Sequence, residues 1–164
     1  MQSVAFAQLR SEHFGRAHEI VVAATHWLNA RGVRQWDTPI PPETYRERHD
    51  AGLNYGLFDN GDLVAVMTLK EEVPAYWQPV REFRTPFRWL STLAIDRAHA
   101  GGGLGRKALL GAEDHLRNAG IPLIYLDCVD RGGALPRFYS GAGFTMLERR
   151  EWPDWTMCLF SKDL

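Results

Sequence analysis

Four glycines in five positions, Gly101, Gly102, Gly103 and Gly105, stand between an apolar run and an amphipathic stretch. No other segment restricts the chain so much. Trp89 to Ile95 has strand character, and Leu104, Ala108, Leu109, Ala112 and Leu116 then recur at helical spacing. Gly120 and Pro122 stop that helix, and Leu123 to Leu126 is a continuous apolar run, as in a parallel strand covered on both faces. Residues 89–128 therefore read as strand–helix–strand, with a crossover long enough for a parallel pair. Glycines carry no side chain, so backbone N–H groups can close on a ligand. A helix start adds unpaired N–H donors and the positive end of a dipole. The combination predicts a phosphate or pyrophosphate site; the plainer alternative is a tight strand-to-helix turn.

The flanking segments fit around this unit. Val4 to Leu9 reads as an edge strand. Ala17, Ile20, Val21, Ala24, Trp27 and Leu28 define one helix face, with Ser11 as N-cap and Gly32 as stop. A more polar helix runs from Pro41 and Pro42 to Gly52. Asn60-Gly61 between the run from Leu53 and the run Leu63 to Leu69 predicts a hairpin, because both turn positions need positive φ. Residues 71–88 form an irregular loop with three prolines. A short helix is expected at Leu135 to Ser140 and two final strands at Phe144 to Trp152 and Trp155 to Phe160, joined at Pro153-Asp154. The fold class is α/β with a mixed sheet, antiparallel at first and parallel in the middle, and residues 1–164 read as a single domain.

Composition removes several functions. The 19 Lys and Arg against 20 Asp and Glu give a net charge of −1, which argues against a general nucleic-acid binder. No apolar run is long enough for a membrane span, and the N-terminal stretch lacks the pattern of a secretory signal. A cytoplasmic protein is expected. Cys128 and Cys158 are too few and too far apart for a CxxC site or a disulfide framework, and the six histidines show no HxH or HExxH spacing, so no metal is expected. There is no Gly-x-Ser-x-Gly element for serine-hydrolase chemistry. The nucleoside-triphosphate motif fails, since Lys107 lies between Arg106 and Ala108. The dinucleotide motif fails because Arg106 stands at its third glycine.

The stretch Leu93-Ala94-Ile95-Asp96, then Ala100-Gly-Gly-Gly-Leu-Gly-Arg106 with Leu109-Leu110, resembles the GNAT superfamily of acyl-CoA-dependent N-acetyltransferases. Gly103 and Gly105 match that family's two glycine positions, while Ala100 replaces its usual Arg or Gln. Arg137-Phe138-Tyr139-Ser140-Gly141-Ala142-Gly143-Phe144 is similar to the family's Phe-Tyr-x-x-x-Gly-Phe element. Gly132 takes the place of an asparagine often found seven residues before the tyrosine. The two motifs cover about residues 93–144 in the family's order and spacing.

The resemblance implies a GNAT-like fold whose central sheet splays open beside the glycine loop, with acetyl-CoA as cosubstrate in the opening. The pantetheine arm would pair with Leu93, Ala94 and Ile95. The pyrophosphate would sit on the N–H groups of Gly101, Gly102, Gly103, Leu104, Gly105 and Arg106, with charge added by Arg106 and Lys107. A backbone N–H near Ala94 or Ile95 would serve the oxyanion. Tyr139 would be the acid for the leaving thiolate: a phenol's ordinary pKa of about 10 lies near the thiol's of about 8.5. Its alternative is packing against Phe138.

The position of the glutamate base found in some relatives is Trp89, and none of Glu71, Glu72, His26 or His49 is assigned as base. The acceptor pocket would come from the 71–88 loop and the first two helices, with Tyr76 and Trp77 as a wall and Arg81, Arg84 and Arg88 either holding an acceptor's carboxylate or phosphate or merely solvated. The reading is thus an N-acetyltransferase acting on a small-molecule amine or a protein amino group, with neither nucleic acid nor membrane as partner. Aromatics near Trp152 and Trp155 suggest a homodimer contact. The alternatives are a non-catalytic acyl-CoA-binding domain and a nucleotide-binding protein of another fold.

Overall fold

The computed structural model describes residues 3–164. Its centre is a seven-stranded mixed sheet of order β1-β2-β3-β4-β5-β7-β6. The strands are β1 (Val4–Gln8), β2 (Asn54–Asp59), β3 (Asp62–Lys70), β4 (Arg88–Ile95), β5 (Leu123–Val129), β6 (Thr145–Trp152) and β7 (Trp155–Asp163). The helices are α1 (Phe14–Ala30), α2 (Pro42–Asp50), α3 (Leu104–Asn118) and α4 (Ala134–Gly141). Among the described residues no helix is long and apolar enough to cross a membrane.

Local chemistry explains most boundaries. Gly32 and Gly52 both have φ of +74°, the left-handed conformation that ends α1 and follows α2. Pro42 opens α2, where its missing N–H costs nothing. The β2–β3 turn has Asn60 at φ +51° and Gly61 at φ +92°, as the Asn-Gly pair requires. Ser11 is not the cap of α1. It begins a 3-10 turn, Ser11–His13, whose entry is fixed when the Arg10 amide donates to His13 Nδ1 at 3.0 Å.

Side-chain alternation splits the sheet into two faces. Leu90, Ile124 and Leu126 pack with Leu109, Ala112 and Tyr139 of α3 and α4. Their neighbours Trp89 and Tyr125 meet Trp77, Phe87 and Leu159 beneath the 71–87 segment. A third cluster joins Ile20 and Val21 of α1 and Tyr45 of α2 to Val66 and Ala94. Cys128 and Cys158, distant in sequence, lie opposite each other across β5 and β7; both are buried and free.

The functionally important irregularity is in the middle of the sheet. β4 and β5 are parallel, but pair only at Arg88–Ile124, Trp89–Tyr125 and Leu90–Leu126. Beyond Leu90 the two strands part. On its other side β4 bulges against β3: Ser91 pairs with Thr68 and Ala94 with Val66, which leaves Thr92 and Leu93 out of register. Thr92 has φ of +56°, a genuine strain for a β-branched residue.

Candidate active site

The parting of β4 from β5 opens a cleft beside the glycine loop. Leu93, Ala94, Ile95, Gly101, Gly103, Leu104 and Gly105 line it, and Trp27 and Leu28 of α1 form one wall. None of the amides from Gly101 to Arg106 meets an acceptor among the described residues; the first capped one is Lys107, which donates to the Gly103 carbonyl at 3.1 Å. A Cβ built on Gly101, Gly102 or Gly103 would touch nothing within 4 Å, so these glycines border open space. Gly101 and Gly103 have φ of +98° and +69°, which favours glycine at both. Gly105 serves packing instead: its Cβ would come 3.0 Å from Phe138. The loop therefore presents a row of free donors at a helix start, suited to a diphosphate.

Cationic charge here comes from Arg97. Its guanidinium stacks on Trp27 at 3.8 Å, it lines the cleft, and its buried Nε has no partner. Arg106 is turned away, donating to the Gly141 carbonyl at the end of α4. Only its amide remains for a ligand.

A second cavity, of about 370 Å³, adjoins the first along β4 and is bordered by α1, α2 and β5. Leu28, Leu93, Leu135 and Tyr139 line both spaces. Tyr139 is held on α4 by Phe144 and Phe160, with ring centroids 5.9 and 6.0 Å away, and its hydroxyl bonds to no described residue. Burial, with the nearby Cys128 and Asp127, pushes its phenol above the ordinary range. It therefore stays protonated at any physiological pH, and the acidity match expected with a thiol is lost: burial makes this phenol a hydrogen-bond donor to a departing sulfur and a weaker acid than the thiol itself.

Asp127 of β5 is the carboxylate of the second cavity. Its Oδ2 accepts from Tyr76 Oη at 2.6 Å and Trp77 Nε1 at 2.8 Å. Burial raises its carboxyl above the usual range, against the pull of those two donors and of Lys70. Arg48 and Lys70 supply the cavity's cations, and Arg48 donates to Thr92 Oγ1 at 3.1 Å.

The two spaces meet at Tyr139. The acetyltransferase (GNAT) family matches residues 21–144. The chain belongs to that family. It is accordingly an N-acetyltransferase that uses acetyl-CoA. The GNAT chain is 26% identical over 136 residues to the uncharacterized N-acetyltransferase YesJ of Bacillus subtilis (strain 168), covering 78% of this chain and 74% of YesJ. Its fold is shared with a GNAT-family acetyltransferase from Streptococcus agalactiae 2603, at a TM-score of 0.84 and 12% identity, covering 98% of this chain and 95% of that one. A solved structure of yncA, a putative acetyltransferase from Salmonella typhimurium, with its cofactor acetyl-CoA aligns at a TM-score of 0.68 and 16% identity, over 98% of this chain and 94% of that one.

Placement of the remaining residues departs from expectation in the acceptor half of this GNAT site. Trp77 is no wall: it is fully buried and reaches the cavity only through its bond to Asp127. Tyr76 does line the cavity. The three loop arginines face elsewhere. Arg81 donates to the Leu147 carbonyl, Arg84 pairs with Asp163 at 3.0 Å and Arg88 with Glu71 at 3.0 Å. His49 is tied to the Arg10 carbonyl, and neither it nor His26, Glu71 or Glu72 lines the cavity. Asp127 was missed because the apolar run ends at Leu126, whereas the strand continues to Val129. A single acid directly after a buried strand run was the available signal. Among the described residues no group of three or more His, Cys, Asp or Glu converges as a metal site would need.

Proposed function

We propose that acetyl-CoA occupies the glycine-loop cleft and that the acceptor amine enters from the Asp127 cavity, the two meeting at Tyr139. The observation that carries this reading is that Tyr139 and Leu93 line both spaces. The residues fit the ligand: free amides from Gly101, Gly102, Gly103, Leu104, Gly105 and Arg106 would hold the diphosphate, and Arg97 with its unpaired Nε would add charge. Leu93, Ala94 and Ile95 lie beyond the last β4–β5 pair, so their strand edge is free to run beside the pantetheine arm.

Bound acetyl-CoA supplies an acetyl group activated as a thioester. The chain manages the protons. Asp127 Oδ1, the oxygen not engaged by Tyr76 and Trp77, accepts a proton from the acceptor's nitrogen. Its raised carboxyl brings its basicity closer to that of an amine. Tyr139 Oη donates a hydrogen bond to the departing sulfur. A backbone N–H near Ala94 or Ile95 stabilises charge on the carbonyl oxygen as a fixed dipole. Nitrogen gains the acetyl carbon, the carbon–sulfur bond breaks, and sulfur leaves with the electron pair as a thiolate that Tyr139 hydrogen-bonds and solvent protonates, while Asp127 returns its proton to solvent.

The reaction belongs in the cytoplasm, where acyl-CoA thioesters circulate, and residues 1–164 act as one catalytic unit. Exposed Trp155 beside edge strand β6 would make the homodimer contact. The test is calorimetric titration with acetyl-CoA, followed by free-thiol release with an amine panel. Binding and acceptor-dependent thiol release are expected; no binding at millimolar acetyl-CoA would overturn the reading.

A further inference from the structure

The acceptor cavity has an unusual charge balance. Arg48 of α2 and Lys70 at the end of β3 both line it and both are partly buried, yet neither makes an ion pair among the described residues. Arg48 has one neutral partner, the Thr92 hydroxyl. By contrast Arg84 and Arg88 are each matched to a carboxylate. The cavity's own carboxylate, Asp127, is already engaged by two neutral donors.

Two partly buried cations facing one carboxylate leave surplus positive charge around a small space. Such charge repels a bare ammonium ion and is costly to keep unpaired. A ligand that brings its own oxyanion removes both penalties. The effect on the proteins' groups agrees: burial lowers the Lys70 ammonium below its ordinary range, and Arg48 pushes the same way against Asp127 and Glu72.

We infer that the acceptor is a small amine carrying a compact oxyanion, of the α-amino acid class, with its amine at Asp127 and its oxyanion between Arg48 and Lys70. The inference rests on the acetyltransferase reading above and adds the substrate class. A cavity of about 370 Å³ admits a free amino acid whole. Trp36, half-buried on its lining, gives the rest of the molecule an apolar surface. Arg48 also links the oxyanion site to the reacting centre, since it holds the strained Thr92 on the bulge of β4.

The experiment is a binding measurement that needs no turnover. The protein is first titrated with CoA alone, then, saturated with CoA, with free α-amino acids, the α-carboxamide of each, and aminoalkylphosphonates of similar length. Failure of CoA to bind rejects the acetyltransferase reading and is seen in the first step. If CoA binds, at least one acid should bind about tenfold or more tightly than its own amide, as loss of a charge-assisted hydrogen bond implies. The phosphonates separate a carboxylate site from a phosphate-type site.

Arg48→Met and Lys70→Met should shrink the acid-to-amide ratio to within about twofold, while Arg48→Lys retains part of it and Arg88→Met leaves it intact. Unchanged CoA affinity in each variant shows that it folds. Amides binding as well as acids, no member of the panel binding to the CoA complex, or a ratio untouched by both Met variants would each overturn the proposal.

Discussion

The indole N–H of Trp77 donates to Asp127 Oδ2 over 2.8 Å, so a residue sealed in the core fixes a carboxylate that faces the acceptor cavity. Tyr76 adds a second bond to the same oxygen at 2.6 Å. No described side chain donates to the other oxygen. Asp127→Asn retains an acceptor for both donors but cannot take a proton. We expect kcat to fall about 100-fold, with acetyl-CoA affinity unchanged, in a thiol-release assay and a parallel titration.

The same carboxyl sets an acid limb in the rate profile. Burial raises the Asp127 pKa, and the group must be ionised to act, so kcat/KM should decline as pH falls through that raised value. The limb should vanish in Asp127→Asn. Stability moves the opposite way. The native state binds this proton more readily than the unfolded chain, so ionised Asp127 detracts from stability above its native pKa, and the penalty fades as pH falls through it. Asp127→Asn is therefore expected to melt at an equal or higher temperature than the natural protein at neutral pH, measured by calorimetry.

Tyr139→Phe isolates one hydroxyl. The ring contacts to Phe138, Phe144 and Phe160 survive, so fold and acetyl-CoA affinity should hold. Turnover should drop by about 100-fold, because the leaving sulfur loses its donor. Since burial keeps the phenol protonated well above the ordinary tyrosine range, no alkaline limb from Tyr139 should appear below that range. Unchanged turnover in Tyr139→Phe would remove the hydroxyl from the reaction.

Local signals were read well and long-range ones were not. Asn60-Gly61, Gly32, Pro42 and the glycine loop each act within a few residues, and each stands where pattern placed it. Trp89 also lies on a strand, as the apolar run predicts. The acceptor half was illegible because its members come from separate elements. Arg48, Lys70 and Asp127 lie on α2, β3 and β5 and meet only through the sheet order. Arg81, Arg84 and Arg88 looked suitable by type, but their partners, Leu147, Asp163 and Glu71, are set by chain packing rather than by spacing. Likewise, no sequence separation could reveal that Cys128 and Cys158 are direct cross-strand neighbours.

Arg97 offers a test of the diphosphate site that leaves the thioester end alone. It stacks on Trp27 at the rim of the cleft with an unpaired Nε. Arg97→Met should weaken acetyl-CoA binding by about tenfold, the scale of one charge-assisted hydrogen bond. Use of a short acetyl thioester without a diphosphate should not change. Equal losses with both donors would mean that Arg97 shapes the cleft rather than gripping phosphate.

Glu113 on α3 is 2% exposed and pairs with Lys162 Nζ of β7 at 2.8 Å. The same Nζ donates to the Ala142 carbonyl just past α4 at 2.9 Å, so one ammonium ties α3, α4 and β7 together. Removing Glu113 leaves the Lys162 ammonium with only the Ala142 carbonyl, and removing Lys162 leaves the buried Glu113 with only Arg117, at 3.5 Å. Glu113→Leu or Lys162→Met alone should cost about 3–5 kcal/mol in denaturant unfolding, while the double replacement should recover most of it, because two apolar side chains need no partner. The double variant still loses the bond at Ala142 that anchors the end of α4. If that anchor sets where Tyr139 points, kcat should stay low after stability returns; full recovery of kcat would show that helix packing alone positions the tyrosine.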